Sequence, residues 1–132
     1  MSEFDLQLDY YQLLNLHKAL LEAKFHTKPD NELVSASPLV ASVYIQVRNL
    51  LLRSGRSEQW EEWFQLKNRP EYRRRAILRL LKSKRWSKAS PKERRKIMED
   101  HLAPFIYSEE ELCQALSDAE AASQPVPDPA AE

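Results

Sequence analysis

Apolar side chains recur every three to four positions along most of the chain, which is the spacing of amphipathic helices. The first such stripe is formed by Leu6, Tyr10, Leu13, His17 and Leu20. A later segment, residues 38–54, is apolar on most faces, as in a helix at the centre of a bundle. No two runs alternate apolar and polar residues with a period of two, so β-hairpins are not expected.

Serine and proline indicate where several of these helices begin. Ser37-Pro38 and Ser90-Pro91 each place an N-cap before a proline at the first helical position. Ser2 and Asp5 have the spacing of a capping box, which starts the first helix near residue 3. The sequence predicts helices at roughly residues 3–25, 38–54, 58–67, 70–85, 91–102 and 109–121.

The length of 132 residues is that of one domain. We predict an all-α, single-domain bundle of about five to six helices over residues 1–121. The chain ends in SQPVPDPAAE, whose alternating prolines cannot continue a helix. Residues 122–132 are therefore predicted to form a disordered, Pro- and Ala-rich acidic tail.

Several features favour a cytoplasmic protein that does not enter a membrane. Cys113 is the only cysteine, so no intrachain disulfide forms, which suits a reducing compartment. The first residues carry acids where a signal peptide has a basic region followed by an apolar run. The most apolar stretch, residues 38–52, contains Arg48 and is too short to span a bilayer.

The formal net charge of zero conceals three blocks of different sign. Residues 1–66 have a net charge of −3, and residues 97–132 contain 9 acids and no lysine or arginine. Between them, residues 67–96 carry 14 basic and 2 acidic side chains, a net charge of +12. Charge segregated in this way indicates a surface that selects a charged partner.

The basic segment is the candidate functional surface. Arg75, Arg79 and Lys82 are spaced to form one cationic stripe, with Trp86 next in register. Repeated cations favour phosphate oxygens, because each neutralised phosphate releases condensed counterions, and a tryptophan can stack on an unpaired base. We therefore predict nucleic acid, DNA or RNA, as the partner. The predicted contacts are Arg73, Arg74, Arg75, Arg79, Lys82, Lys84, Arg85, Trp86, Lys92, Arg94 and Arg95.

Other interpretations of the same segment stay open. An acidic protein could dock on the basic face, in which case the chain is an adaptor or assembly factor. The cations could also form an ordinary solvated surface, or be covered by the acids of the sixth predicted helix or of the tail. A DNA-reading helix pair is only weakly indicated, since the connection before Ser90 lacks the usual glycine.

Two further stretches suggest contacts between proteins. Trp60, Trp63 and Phe64 lie together on one helix face, which is typical of core packing but also of a protein-binding anchor. Leu6, Leu13 and Leu20 have heptad spacing, so a homodimer through the first helix is possible, although a monomeric bundle fits equally well.

No catalytic residue, cofactor or metal is predicted, and we expect the protein not to be an enzyme. Gly55 is the only glycine, which excludes a phosphate-cradling glycine-rich loop. The three histidines and Cys113 lack the spacing of zinc ligands. His17 lies on an apolar stripe and is interpreted as a core histidine, and Cys113 as a small buried apolar residue.

Overall fold

The computed structural model of this chain describes residues 3–26, 28 and 31–123. Helix α1 (Tyr10–Leu21) begins where Asp9 closes a capping box with Gln12. The Asp9 carboxylate accepts from the Gln12 backbone N–H at 2.8 Å, and the Gln12 side chain accepts from the Asp9 N–H at 3.0 Å. The predicted start at residue 3 is therefore wrong. Ser2, on which that prediction depended, lies outside the described residues.

The described residues form eight α-helices and no strand, in a single compact domain. The prediction of an all-α fold is thereby confirmed, while the predicted count of five to six helices is wrong. A π-helical turn, Glu22–His26, extends α1, and a 3₁₀ turn, Leu66–Asn68, precedes the fifth helix. The remaining helices are α2 Glu32–Ser35, α3 Pro38–Leu52, α4 Ser57–Trp63, α5 Pro70–Lys82, α6 Lys84–Lys88, α7 Pro91–Leu102 and α8 Glu109–Ser123.

Two short capped helices account for the higher count. In the predicted polar connection, the Asn31 side chain accepts from the Leu33 N–H at 3.1 Å and starts α2. The predicted helix over residues 70–85 is interrupted at Ser83, whose backbone is extended and whose hydroxyl accepts from the Arg85 N–H at 3.3 Å. Ser83 is thus both the C-cap of α5 and the N-cap of α6.

The helices enclose two adjoining clusters of buried apolar side chains. The first core lies among the π-helical turn, α5, α6, α7 and α8, and includes Phe25, Leu80 and Trp86. The second core lies among α1, α3 and α4 and includes Tyr44 and Phe64. Trp63 packs against both clusters and joins them.

A buried lysine connects three of these elements. Lys24 belongs to the π-helical turn and is 1% exposed. Its ammonium donates to the carbonyl oxygens of Ser35 at 3.1 Å, Asp100 at 2.7 Å and His101 at 3.2 Å. These carbonyls end α2 and α7, where the helix dipole is negative and favours a cation.

The apolar composition of residues 38–54 predicts a helix at the centre of the bundle, and this prediction is wrong for α3. One face packs into the second core through Tyr44, Val47 and Leu51, while the opposite face is open to solvent. At the other end of the domain, α8 continues to Ser123. The rest of the predicted tail, residues 124–132, lies outside the described residues.

Candidate nucleic-acid interface

Helix α5 carries much of the basic segment and turns one side to the first core. Ala76, Ile77 and Leu80 are buried there. The opposite side projects into solvent and bears Glu71, Arg74, Leu78 and Lys82. The exposed cations of α5 are therefore Arg74 and Lys82, which stand one helical turn on either side of Leu78.

The predicted cationic stripe of α5 is divided by contacts with the π-helical turn. Arg75 Nη1 lies 2.6 Å from His26 Nδ1, and Arg75 Nη2 lies 2.9 Å from Glu71 Oε1. Arg79 donates to the carbonyl oxygen of Lys24. Both arginines hold the turn against α5, so only Lys82 of that stripe is exposed and available to a partner.

Acids of α8 neutralise three more of the predicted contacts. Arg95 Nη2 lies 2.6 Å from Glu109 Oε2, and the other arm of the guanidinium meets the second oxygen. Arg73 pairs with Asp118 at 2.6 Å, and Arg94 with Glu120 at 3.9 Å. The last helix thus covers part of the basic segment, one of the alternatives that the sequence left open.

These pairs shift the titration of the carboxyl groups. The hydrogen bond from Arg95 lowers the pKa of Glu109 below its ordinary value. The hydrogen bonds from Arg73, and then from Gln114, lower the pKa of Asp118 in the same way. Both carboxylates therefore stay ionised at neutral pH and keep their arginines paired.

Trp86 does not lie at the surface, where its predicted role in base stacking requires it to be. It is 2% exposed and packs into the first core. The Arg94 guanidinium lies 4.9 Å from the ring centroid, and its Nε donates to the Trp86 carbonyl at 3.1 Å. The prediction of base stacking by Trp86 is therefore corrected, because the ring is enclosed by the protein.

Besides Arg74, the exposed cations of the basic segment include a set that lies where α5, α6 and α7 meet. Within the part of the chain that the structure describes, each forms no ion pair. No acid occurs in residues 82–92, which contain all of them. We call this set the cationic corner; it consists of Lys82, Lys84, Arg85, Lys88 and Lys92.

The two tryptophans predicted to bind a protein, Trp60 and Trp63, are buried and half-buried, respectively. Trp60 is 6% exposed, and its indole N–H donates to the Tyr10 hydroxyl at 3.3 Å. Trp63 is half-buried and stacks on Phe105 with the ring centroids 5.8 Å apart. The core interpretation of this aromatic group is the one that the packing supports, and Trp60 as a surface anchor is corrected.

His17 lies inside this aromatic group as a core histidine. It is 3% exposed, and its Nδ1 is 2.8 Å from the Tyr44 hydroxyl. Burial, and then the charge of Lys18, lower the pKa of His17 from 6.5 to about 4. The imidazole is consequently neutral near pH 7, and its ring makes edge contacts with Trp60 and Trp63.

The heptad leucines of the first predicted helix are not a free dimer face. Leu13 is buried in the second core, and Leu20 packs against it. Leu6 lies outside α1, in the segment that precedes the capping box, and is 77% exposed. The three leucines therefore do not form one exposed stripe along α1.

The structure differs from the sequence-based predictions at Cys113, in its exposure, and at Lys88, in its membership of the basic surface. Cys113 is exposed, with its sulfur 3.8 Å from Glu109 Oε1, which corrects its interpretation as a buried residue. Lys88 was not among the predicted contacts, yet it completes the cationic corner. The signal that identifies it is the acid-free run of residues 82–92, rather than helical periodicity.

Comparisons of this chain with protein-family models, with curated proteins and with solved structures found no match. Among the described residues, no helix has both the length and the apolar character needed to cross a bilayer. The charge distribution at the junction of α5, α6 and α7 is thus the feature on which a function can be argued.

Proposed function

We propose that this chain is a small, non-enzymatic, cytoplasmic nucleic-acid-binding protein that contacts phosphates through the cationic corner. The observation that supports this proposal is the set of five exposed cations in a stretch without acids, none of them in an ion pair with a described residue. Binding of a polyanion relieves the mutual repulsion of these charges. The counterions that the polyanion releases on binding gain entropy, which favours the complex.

The position of the cations on their helices also favours an external anion. Lys84 and Arg85 open α6, and Lys92 is the second residue of α7. A helix N-terminus carries partial positive charge, so these cations do not stabilise the helices that bear them. Lys82 and Lys88 lie at the C-terminal ends of α5 and α6, where the helix dipole by itself favours a cation.

The enclosed ring of Trp86 determines the kind of contact that we propose. Without a stacking platform in the corner, binding is directed to the sugar–phosphate backbone and not to base edges. Arg85 is the only arginine of the five, so most contacts are point charges from lysines and not planar guanidinium pairs. Affinity is therefore expected to depend little on nucleotide sequence.

Salt dependence tests this proposal directly. Five phosphate contacts on duplex DNA give a log–log slope of about −4.5, so affinity falls roughly 500-fold between about 50 and 200 mM salt. Fluorescence anisotropy with labelled duplexes of two unrelated sequences measures both the slope and the sequence dependence. Binding that is insensitive to salt, or confined to one of the sequences, contradicts the proposal.

An acidic protein partner is the second candidate function, and Leu78 is the observation that favours it. Leu78 is 49% exposed between Arg74 and Lys82, a pattern that fits an amphipathic acidic surface better than phosphates. Leu78→Ala is expected to weaken capture of a stoichiometric protein from nuclease-treated lysate. The same change leaves duplex affinity within about twofold, because it removes no charge.

A further inference from the structure

The outer face of α3 is an apolar surface that the described residues leave largely open to solvent. Leu39 is 78% exposed, Val43 48% and Leu50 45%. With Gln46 they follow one another at intervals of four, three and four residues, so they form a single straight seam. We call Leu39, Val43, Gln46 and Leu50 the uncharged stripe.

The stripe is unusual in this protein because it lacks charge. The other exposed residues of α3 are Pro38, Ser42 and Asn49, in a chain of which 30% of residues are charged. Arg48 is the only charged residue of the helix, and its guanidinium is turned away to donate to the Pro104 carbonyl at 2.9 Å. Apolar surface depleted in charge is typical of the centre of a protein–protein interface.

The apolar surface continues beyond the helix itself. Leu6 and Leu50 line one open groove of about 500 Å³, together with Leu8 and Tyr10. Leu6 is 77% exposed and Phe4 94%, so these two described side chains before α1 do not fill the groove or cover the stripe. The exposed apolar face is therefore longer than α3.

We propose that a second copy of this chain covers the uncharged stripe, with the two α3 helices antiparallel about a two-fold axis. A two-fold interface brings the same surface against itself, and a face without charges meets no like charge when it does so. In this arrangement Leu39 of one copy faces Leu50 of the other, and Val43 faces Gln46.

Charges at the two ends of the stripe favour the antiparallel direction. Glu32 is exposed on α2, directly before α3, and Arg53 is exposed at the C-terminal cap of α3. Antiparallel pairing brings the basic end of each copy near the acidic end of the other, whereas parallel pairing brings like charges together. A membrane surface fits less well, because the flanking lysines that such a helix requires are lacking on α3.

Such a dimer leaves the cationic corner exposed in both copies. The stripe lies on the outer face of α3, whose inner face packs on α1 and α4, while the corner lies at the N-terminal end of α7. The C-terminal end of α7 is the end that approaches α3, where Arg48 donates to the Pro104 carbonyl. The corner is at the other end of α7, and the 12 residues of this helix span roughly 18 Å. The inference is thus independent of the proposed function.

Light scattering coupled to size-exclusion chromatography tests the proposal on the full chain. The expected mass approaches twice 15.5 kDa as concentration rises. Leu39→Glu with Val43→Glu is expected to weaken association by at least about tenfold, since the buried acids then face Leu50 and Gln46 and no cation. Both positions are exposed in one copy, so the far-UV circular dichroism of the variant should match that of the wild type.

Leu78→Glu is the matched control, because Leu78 is also an exposed leucine but lies on α5. Its mass should equal that of the wild type. A wild-type mass of 15.5 kDa at all concentrations overturns the proposal, as does a dimer that the control dissociates and the α3 variant does not.

The direction of pairing has its own test. In Leu39→Glu with Leu50→Lys, antiparallel helices bring each introduced carboxylate opposite an introduced ammonium, so the dimer persists and becomes sensitive to salt. Leu39→Glu alone leaves the carboxylate against Leu50 and weakens the dimer. If the double variant is the weaker of the two, the antiparallel arrangement is wrong.

Discussion

Arg95 on α7 and Glu109 on α8 form a two-point ion pair, with Arg95 Nη2 and Glu109 Oε2 2.6 Å apart. This pair, like that of Arg73 with Asp118, joins the basic segment to the acidic end of the same chain. The protein thereby neutralises some of its own cations and leaves others exposed. Which cations are exposed is decided by packing and not by charge density along the sequence.

Releasing the paired arginines should strengthen binding of nucleic acid. Glu109→Gln with Asp118→Asn frees Arg73 and leaves Arg95 with only its 3.6 Å pair to Glu99, and each cation that then reaches a phosphate steepens the salt slope by about 0.9. Anisotropy at low salt should therefore show a higher duplex affinity for this variant than for the wild type.

The control for this prediction is the neutralisation of acids that form no ion pair, which alters the net charge without releasing an arginine. Glu110 lies in the same first turn of α8, and within the described residues it forms no ion pair. Glu110→Gln should alter affinity only through net charge. If two such neutralisations at unpaired acids strengthen binding as much as the paired ones, local pairing does not control the site.

Removing cations from the corner should lower the salt slope in steps. Lys84→Gln with Lys88→Gln removes two proposed phosphate contacts, so the slope should decrease in magnitude by about 1.8. Arg95→Gln is the comparison, because it also removes a cation from the basic segment but one that Glu109 already neutralises. A decrease per residue as large for Arg95→Gln as for the lysine variants would place the binding surface elsewhere.

The stability of the protein should decrease as the pH falls from 6.5 toward 4. The pKa of His17 is about 4 in the folded protein and about 6.5 when unfolded, so in this range the unfolded chain binds a proton that the folded one does not. Protonation then favours unfolding, by up to about 3 kcal/mol at the lower end. Above pH 6.5 both states are neutral and this dependence ends.

Urea unfolding of His17→Phe and of the wild type over this pH range measures the effect. The phenylalanine retains an aromatic ring beside Trp60 and Trp63 but cannot be protonated. Its free energy of unfolding should depend less on pH than that of the wild type. Parallel curves for the two proteins would show that His17 is not the titrating group.

Loss of the buried ammonium of Lys24 should destabilise the fold. Lys24→Met keeps the length of the side chain but leaves the carbonyls of Ser35, Asp100 and His101 without this donor, at a cost of about 2 kcal/mol. Lys18→Met, on the exposed side of α1, should change stability by less than about 0.5 kcal/mol. Equal unfolding midpoints for the two variants would contradict this role for Lys24.

Local signals in the sequence determine part of this structure. Helix α7 has the predicted bounds because Ser90 and Pro91 set its start unambiguously. The start of α1 was also readable, since Asp9 and Gln12 have the spacing of a capping box. The break at Ser83 was not, because the flanking residues favour a continuous helix and only the burial of Trp86 requires the turn.

The binding surface was predictable in location but not in membership. The acid-free run of residues 82–92 is visible in the sequence. The pairing of Arg73 with Asp118 spans 45 residues, and helical periodicity carries no information on such contacts. Arg74 and Arg75 are neighbours in sequence, yet one is exposed and the other bonds His26, since α5 happens to pack against a π-helical turn.

Trp63 gives the domain a property that neither core has alone. Its ring centroid is 5.8 Å from that of Phe105 in the first core and 4.9 Å from that of His17 beside the second. The Trp63 indole is therefore shared by both clusters, and unfolding of either cluster exposes this ring to water. We therefore expect the two cores to unfold together, in a single cooperative transition.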